Sequence, residues 1–437
     1  MRIVETAMHG RIPNMSVHIT IHRGTEQIGG SVTEISMGKT NILVDFGSSL
    51  PGSQGAVSDD ELVKRVFHRG NQRIDAVFFT HYHGDHTGLM DKIPADIPIY
   101  MDSAMFTILQ KLHEHTGNKT MQQLLANDNG RIHSFTAREI LRTGDMKIYT
   151  FFVDHSAYHA NMFLFEGAGH TILHSGDFRR AGYMSKSLDI IPKLIRDKYH
   201  KKVDVLLTEG TMMTRSVKDE HLLTEWDVQR EAKNFMRDHR HIFVICSSTN
   251  FDSLTSICRA AQANNLSIYG SPYIREMLKT FSDKAGAYTG LYNLPEVRDS
   301  KGLWKIQNRG YVFLLGSLLG WDKETAIRLY NKFADSHPYL IYSMWQGYLN
   351  PKHLAYNEGL AAFVRQFDGR VKYIHSSGHA DKATLAKFIT DIAPKKYIVP
   401  FHTENPVGFR ELDVEARYKG IMVFPQDGDV IDVEGGI

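Results

Sequence analysis

The sequence predicts an α/β protein whose first part is rich in short strands and whose second part alternates strands with helices. Up to about residue 210, apolar and polar residues alternate with the period of two that is typical of strands, as in Ser16–Arg23. Beyond that point apolar strands alternate with amphipathic helices, the pattern of βαβ units in a mostly parallel sheet. The 437 residues are enough for two or three domain-sized units.

Each predicted element rests on its hydrophobic periodicity and on β-branched or aromatic enrichment in the strands. In the first part we predict strands at Ser16–Arg23, Ser31–Met37, Thr40–Asp45, Asp75–Thr80, Lys147–Val153, Met162–Glu166, His170–His174 and Val203–Thr208, and helices at Asp59–Arg69 and Ser103–His113. Later strands are Ile242–Cys246, Ser267–Tyr269, Val312–Leu315, Leu340–Ser343, Val371–Ile374, Tyr397–Pro400, Ile421–Phe424 and Val430–Val433. Later helices are Asp252–Ala263, Ile274–Phe281, Lys323–Phe333, Leu354–Phe367 and Lys382–Ala393. Polar clusters follow several strands, where sites in α/β sheets usually form.

Composition excludes several classes of protein. No apolar run reaches the roughly 18 residues of a membrane span, and the first residues lack the apolar core of a signal peptide. The net charge of +2 gives no global basic field, so a nucleic-acid partner would need a local positive groove. The two cysteines, Cys246 and Cys258, are too few for a disulfide framework, and we expect buried thiols in a reducing cytoplasm.

The densest group of metal-binding side chains lies in Thr80–His86, directly after an apolar strand. This THYHGDH segment contains three histidines and one aspartate, residue types that suit Zn²⁺ at about 2.0–2.2 Å. On an extended strand end, His81 and His83 lie on the same side and can bind one metal ion. The glycine that follows lets the chain turn, so Asp85 and His86 can serve a second ion. We prefer this interpretation to that of a histidine-rich surface loop.

Three other strand ends offer further ligands. His155 ends one strand, Asp177 follows another in the string HSGD, and His402 ends a third. Asp177 is suited to bridge two ions because a carboxylate has two oxygens. A single histidine at a strand end is more often structural, but together with the first motif these residues favour a metal centre.

These ordered motifs, together with Asp45 in LVDFG, resemble those of the metallo-β-lactamase superfamily. The resemblance covers most of residues 16–210 and implies a four-layer αββα sandwich. It implies one zinc ion held by His81, His83 and His155, a second held by Asp85, His86 and His402, and a bridge formed by Asp177. Asp45 would orient the ligands or the nucleophile.

A long stretch of chain separates Asp177 from His402, enough for a whole inserted domain. Glu209 in LLTE, His379 in HSSGHA and His402 in FHTE resemble the acid, histidine and histidine motifs of the β-CASP nucleases, which include ribonuclease J. We therefore expect a metallo-β-lactamase domain over 1–210, an inserted α/β β-CASP domain over 211–370 and a return segment over 371–437.

The resemblance implies hydrolysis of phosphodiester bonds in nucleic acid. A histidine at the final motif favours single-stranded RNA over DNA. Two zinc ions lower the pKa of bound water toward about 7, so hydroxide attack on phosphorus is the expected chemistry. His379 is the candidate general acid, oriented by Glu209. Asp85 and Asp45 complete the predicted catalytic set.

Two hydroxyl-rich segments are candidate phosphate-binding sites. His375, Ser376, Ser377 and Gly378 precede one predicted helix, and Ser247 and Ser248 precede another. Backbone N–H groups and hydroxyls at a helix start bind anions, so the second segment is a candidate pocket for a 5′-monophosphate. Simple N-capping by serine explains that segment equally well.

Several alternatives stay open at this stage. His159 and Thr403 differ from the ribonuclease J pattern, and Trp345 and Tyr348 suit base stacking or, more commonly, core packing. Mn²⁺ or Fe²⁺ can also occupy a histidine and aspartate site. A DNA nuclease, a hydrolase of small thioesters, lactones or lactams, and a non-catalytic scaffold are the competing functions. Endonuclease against exonuclease action and a homodimer against other assemblies are also left undecided.

Overall fold

The computed structural model describes residues 16–50, 53, 57–70, 73–136, 138–215, 223–285, 290–299, 310–317 and 323–435. The N-terminal residues, from which we predict no signal peptide, fall largely outside these ranges. Among the helices that the structure describes, none combines the length and the apolar character needed to cross a lipid bilayer.

The described residues form both strands and helices, with runs of consecutive strands before residue 210 and alternation of strands with helices after it. The strands are β1 (Val17–Arg23), β2 (Val32–Met37), β3 (Thr40–Val44), β4 (Ala76–Phe78), β5 (Ile99–Asp102), β6 (Ile132–Phe135), β7 (Ile140–Thr143), β8 (Met146–Val153), β9 (Ala160–Gly167), β10 (His170–His174), β11 (Val205–Glu209), β12 (His241–Cys246), β13 (Ser267–Gly270), β14 (Val297–Asp299), β15 (Tyr311–Leu314), β16 (Tyr339–Ser343), β17 (Val371–Tyr373), β18 (Tyr397–Phe401) and β19 (Val430–Asp432). The helices are α1 (Asp59–Phe67), α2 (Gly84–Thr87), α3 (Ser103–Thr116), α4 (Lys119–Ala126), α5 (Ser187–Lys193), α6 (Glu225–Asp238), α7 (Phe251–Ala263), α8 (Pro272–Ala285), α9 (Lys323–Phe333), α10 (Glu358–Arg365), α11 (Lys382–Ile392) and α12 (Ala416–Lys419).

Two of the three sheets pack face to face. Their strand orders are β19-β1-β2-β3-β4-β5-β6 and β18-β11-β10-β9-β8-β7. Side chains such as Ile19, Phe78, Phe163 and Leu207 fill the space between them and are fully buried. Helices α1, α3 and α4 cover the outer face of the first sheet, and α5 and α11 cover that of the second. The predicted αββα sandwich is confirmed, with burial of these apolar faces as its main source of stability.

The third sheet is parallel throughout, with the order β14-β13-β15-β12-β16-β17. Helices α6, α7 and α8 pack on one face through residues such as Ile257, and α10 packs on the other through Phe363. The alternation of strands and helices after residue 210 thus corresponds to βαβ units. Strand β17 lies just inside the predicted return segment, and the predicted domain limits stay a prediction.

Strands β10, β11 and β18 run parallel and adjacent, so their carboxyl ends meet at one edge of the second sheet. Glu209 at the end of β11 is in register with Phe401, and His402 follows directly. Leu207 of β11 is in register with His174 at the end of β10. Residues far apart in sequence are therefore delivered to one crevice, as expected for an α/β sheet.

Two predicted elements differ from the structure. The strand predicted at Ile421–Phe424 makes only an isolated bridge between Met422 and Ile398, and Pro425, which has no N–H to donate, follows at once. The helix predicted from Leu354 begins only at Glu358. The side chain of Asn357 caps it by accepting the N–H of Leu360, a start signal that the apolar periodicity does not contain.

Candidate metal centre

His81, His83 and His155 bring three ring nitrogens to one point. The Nε2 atom of His81 lies 3.1 Å from Nδ1 of His83, and Nε2 of His155 lies 3.3 Å from the same atom. His81 and His83 flank the turn that leads into α2, and His155 follows β8. Each side chain thus arrives from the end of a buried strand.

A second group lies beside the first. The Nε2 atom of His402 is 3.2 Å from Oδ2 of Asp85, and Nε2 of His86 is 3.2 Å from Oδ2 of Asp177. The same Asp177 oxygen lies 3.9 Å from Nε2 of His81 and 3.8 Å from Nε2 of His402. Asp177 is therefore central, between the two groups.

Outer hydrogen bonds determine which nitrogen of His81 and of His86 faces inward. Asp45 accepts the N–H of Thr80 at 2.7 Å and the hydroxyl of Thr80 at 2.8 Å. It also accepts Nδ1–H of His86 at 2.7 Å. Because the Thr80 hydroxyl donates to Asp45, it accepts Nδ1–H of His81 at 3.0 Å. His81 and His86 therefore turn their Nε2 atoms toward the centre, the orientation that metal-binding histidines require.

His155 and His402 are held in the same way. A carbonyl oxygen can only accept, so Nδ1 of His155 carries the proton that it donates to the carbonyl of Gly378 at 2.5 Å. Nδ1 of His402 lies 2.8 Å from the hydroxyl of Thr211. Both Nε2 atoms point at the carboxylates or the histidines of the centre.

The donor set fits two divalent cations. Nitrogens that bind a tetrahedral zinc ion at about 2.0–2.1 Å are separated by about 3.3 Å, close to the spacings of the first group. Within the described residues, Oδ1 of Asp177 is buried and has no hydrogen-bond partner. Burial lowers the pKa of His83 to about 4 and those of His81 and His155 well below their ordinary value, which leaves neutral, ligating rings.

The carboxylates are also in the ligating form. Burial alone would raise the pKa values of Asp85 and Asp177, but neighbouring histidines, His86 and His402 among them, hold both well below the ordinary value. The pKa of His86 shifts in the opposite direction. Burial lowers it, but Asp177 and other carboxylates raise it well above its ordinary value. A bound cation would balance the negative charge of these carboxylates, so the His86 ring would no longer need to be protonated to do so.

Glu209 and His379 lie at the edge of the centre. Nδ1 of His379 is 3.2 Å from Oε2 of Glu209 and 3.7 Å from Oδ2 of Asp177. Glu209 is fully buried and also accepts the N–H groups of Thr211 and Ala380, whereas the His379 side chain is 22% exposed. The pKa of His379 is raised, because the attraction of Glu209 outweighs the effect of burial.

The predicted phosphate-binding residues divide into two kinds. Ser376 and Ser377 are buried, and their hydroxyls contact the Arg179 guanidinium (3.4 Å) and the N–H of His379 (3.2 Å), respectively. Ser247 and Ser248 are partly exposed in the loop between β12 and α7. His375 has a buried Nδ1 without a partner among the described residues, and burial lowers its pKa to about 4. Phosphate contact stays a prediction for all of them.

Sequence reasoning missed Arg179, which is fully buried beneath the site. Its guanidinium lies 3.4 Å from Asp154, 3.2 Å from Glu225 and 2.8 Å from Asp252. These ion pairs connect the segment that carries His155 to helices α6 and α7. His159, which differs from the ribonuclease J pattern, pairs with Asp102 at 3.0 Å.

Two family models match the chain. The β-lactamase superfamily domain matches residues 40–238, and the Zn-dependent metallo-hydrolase RNA specificity domain matches residues 358–407. Among curated proteins, ribonuclease J from strains of Helicobacter pylori is 25% identical over 168 residues, or 38% of this chain. The chain spans only about a quarter, 23%, of the length of these relatives.

A solved structure resembles nearly the whole fold. The crystal structure of a protein of unknown function from Enterococcus faecalis V583 superimposes with a TM-score of 0.72 at 19% identity. The match covers 95% of this chain and 100% of that one, so the inserted third sheet is part of the shared architecture. The fold, the family models and the clustered histidines and aspartates agree: the chain contains a β-lactamase superfamily domain and a Zn-dependent metallo-hydrolase RNA specificity domain, which make it a metal-dependent hydrolase that is similar to ribonuclease J.

Proposed function

We propose that the chain is a zinc-dependent ribonuclease that hydrolyses phosphodiester bonds in single-stranded RNA. The observation that carries the proposal is the convergence of seven ligand side chains beside the Glu209–His379 pair. Resemblance to ribonuclease J and the match to an RNA specificity domain, which spans His379 and His402, support RNA as the substrate. The predicted division at residues 210 and 370 and a reducing cytoplasm belong to the same proposal.

The ligand assignment follows the two groups of contacts. His81, His83 and His155 would hold one ion, Asp85, His86 and His402 the other, and Asp177 would bridge. Two bound zinc ions supply an acidified water as nucleophile and neutralise charge on the scissile phosphate. Asp45 keeps Nε2 of His86 inward, and it also acts on His81 through the hydroxyl of Thr80.

His379 is proposed to donate the proton that the leaving 3′-oxygen requires. Its Nδ1 is engaged by Glu209, so Nε2 is the atom left to hold that proton. Glu209 cannot move away easily, because the backbone N–H groups of Thr211 and Ala380 fix its carboxylate. The buried carboxylate of Glu209 thus orients the partly exposed ring of His379, whose Nε2 is the proposed proton donor.

The test is a cleavage assay on end-labelled RNA and DNA with the zinc-loaded protein. We expect zinc-dependent cleavage of single-stranded RNA by the wild type and its loss in His83→Ala. His133→Ala serves as the matched control, because His133 is an exposed histidine on β6 outside the metal-binding groups. RNA that stays intact with a zinc-loaded wild type would contradict the proposal.

The same assay separates the alternatives. Preferential cleavage of DNA would make the chain a DNA nuclease of this branch. Turnover of a thioester, lactone or lactam in place of RNA would make it a small-molecule hydrolase. Activity restored by Mn²⁺ in preference to Zn²⁺ would change the metal but not the ligands. Product lengths distinguish endonuclease from exonuclease action, and a sizing experiment tests the homodimer.

A further inference from the structure

One loop of the third sheet lies between two loops that reach the metal centre. Strand β16 pairs in parallel with β12 on one side and with β17 on the other. The loop after β12 contacts Tyr82 of the HYHGDH motif, whose hydroxyl donates to the carbonyl of Thr249 at 2.8 Å. The loop after β17 carries His379, whose Nδ1 is 3.7 Å from Oδ2 of Asp177. Because the carboxyl ends of parallel strands meet at one edge, the loop after β16, residues 344–350, faces the same crevice.

Aromatic packing fixes the ring of Tyr348 in this loop. The ring packs against the apolar cluster on one face of the third sheet, and the indole of Trp345 meets it edge to face, with centroids 5.4 Å apart. The ring of His353 also contacts the indole, at 4.5 Å between centroids. A Cβ at Gly347 would lie 2.3 Å from Cζ2 of Trp345, so any larger residue there would displace the indole. These contacts determine the direction in which the Tyr348 ring points.

The hydroxyl of Tyr348 is a donor that the protein does not use. Tyr348 is partly exposed, and its hydroxyl makes no hydrogen bond within the part of the chain that the structure describes. Burial raises the pKa of Tyr348, and the negative charge of the nearby proposed ligand Asp85 raises it further, so the phenol stays protonated. Phenylalanine would satisfy the packing of this ring equally well, so packing leaves the hydroxyl unexplained. A protonated phenol beside the metal centre suits an anionic oxygen of a substrate.

We propose that Tyr348 is a catalytic residue whose hydroxyl donates a hydrogen bond to a non-bridging oxygen of the scissile phosphate. The inference rests on the proposed ribonuclease function and names a protein group that contacts its substrate. Donors that are oriented before the reaction stabilise charge on the reacting oxygens without a cost in reorganisation. The aromatic packing of the loop provides that orientation for Tyr348, and the ring stays in place when only the hydroxyl is removed.

The experiment compares the zinc-loaded wild type with Tyr348→Phe and Tyr330→Phe. Tyr330 is the matched control, because its ring packs against the same apolar cluster but its hydroxyl donates to the carbonyl of Gln366 at 2.6 Å. We expect Tyr348→Phe to lower kcat for RNA about 10²-fold with an unchanged zinc content. Tyr330→Phe should stay within about twofold of the wild type.

RNA in which sulfur replaces one non-bridging oxygen of the scissile phosphate identifies the contact. Sulfur is a weak acceptor, so for one of the two diastereomers the rates of the wild type and Tyr348→Phe should converge to within about threefold. For the other diastereomer the loss of about 10²-fold should remain. A structural role would give the same loss with every substrate.

Binding of inorganic phosphate provides a readout apart from turnover. Calorimetry with the zinc-loaded proteins should show a Kd for phosphate about tenfold higher in Tyr348→Phe than in the wild type, and no change in Tyr330→Phe. Equal phosphate affinities, equal losses in both variants or the same loss for both diastereomers would overturn the inference. A Tyr348→Phe chain that fails to fold would also overturn it, because the hydroxyl would then support the fold.

The outcomes separate this inference from the proposed function. If the wild type cleaves RNA and Tyr348→Phe cleaves it equally well, the inference fails and the ribonuclease proposal stands. If the wild type cleaves no RNA, the ribonuclease proposal fails, and the phosphate affinities alone decide whether Tyr348 is a donor to phosphate at this centre.

Discussion

The ring of His379 donates a hydrogen bond from Nδ1 to Oε2 of Glu209 over 3.2 Å, although 170 positions separate the two residues. Strand β11 delivers Glu209, and the loop before α11 delivers His379, so the pair forms only when the return segment docks on the second sheet. Buried carboxylates that accept several N–H groups are rigid anchors. The geometry therefore orients His379 before any substrate arrives.

Replacement of His379 by alanine should slow the chemical step without removing the metal. A positioned general acid contributes about 10²–10⁴-fold, so we expect kcat for RNA to fall within that range while zinc content stays the same. Glu209→Gln should lower kcat less, because the ring remains. Steady-state kinetics with metal analysis checks this, and the double variant should be no worse than His379→Ala alone. Full turnover by His379→Ala would exclude it as the acid.

Asp45→Asn should weaken zinc binding while the fold persists. Asp45 has a left-handed φ of 61°, a conformation that asparagine tolerates, so the backbone needs no change. The asparagine amide cannot accept all three hydrogen bonds that the carboxylate takes from Thr80 and His86. Loss of such an orienting contact typically costs about 10–100-fold in metal affinity. Competition with a chelator measures it, and the exposed Asp60→Asn should bind zinc like the wild type.

Loss of Arg179 should destabilise the whole chain. Its guanidinium is fully buried among three carboxylates, and removal of one partner of a buried ion pair costs about 3–5 kcal/mol. We expect Arg179→Met to lower the free energy of unfolding by about that amount in urea titrations. Arg180→Met is the control: its partner is a surface aspartate, and such pairs contribute only about 0–1 kcal/mol. Equal effects of the two variants would contradict the importance of the buried cluster.

Glu34 should make stability depend on acid pH. Burial raises its pKa, but contacts with His22 and Arg69 outweigh burial and hold the pKa below its ordinary value. A carboxyl with a depressed folded pKa stabilises the fold above its unfolded pKa, and that contribution is lost as pH falls through the folded pKa. The difference in unfolding free energy between wild type and Glu34→Gln should therefore shrink below about pH 4.5. A constant difference between wild type and Glu34→Gln across this pH range would contradict this.

Local spacing made the core of the site predictable. His81, His83, Asp85 and His86 lie within one strand end and turn, where the chain geometry itself decides which side chains share a side. The parallel third sheet was predictable for a similar reason, since strand and helix periods are local properties. His402 could be proposed only through its motif, because nothing near it in sequence indicates the centre it reaches.

Long-range partners were not predictable from the residues alone. Thr211 contacts His402 across 191 positions, and Arg179 reaches Ser377 across 198. Such contacts depend on how separate segments of the chain pack together. Neither Thr211 nor Arg179 lies in a sequence motif that predicts its role. The short strands Ile99–Asp102 and Ile132–Phe135 were missed because few residues in each give a weak periodic signal.

The most direct test of the account is the zinc content of the purified chain after equilibration with excess zinc and gel filtration. We expect the wild type to retain two ions per chain, His83→Ala to retain the ion bound by Asp85, His86 and His402, and Asp177→Asn to lose affinity for both. A wild type that retains no zinc, or variants that retain as much as the wild type, would contradict the assignment of these side chains as ligands.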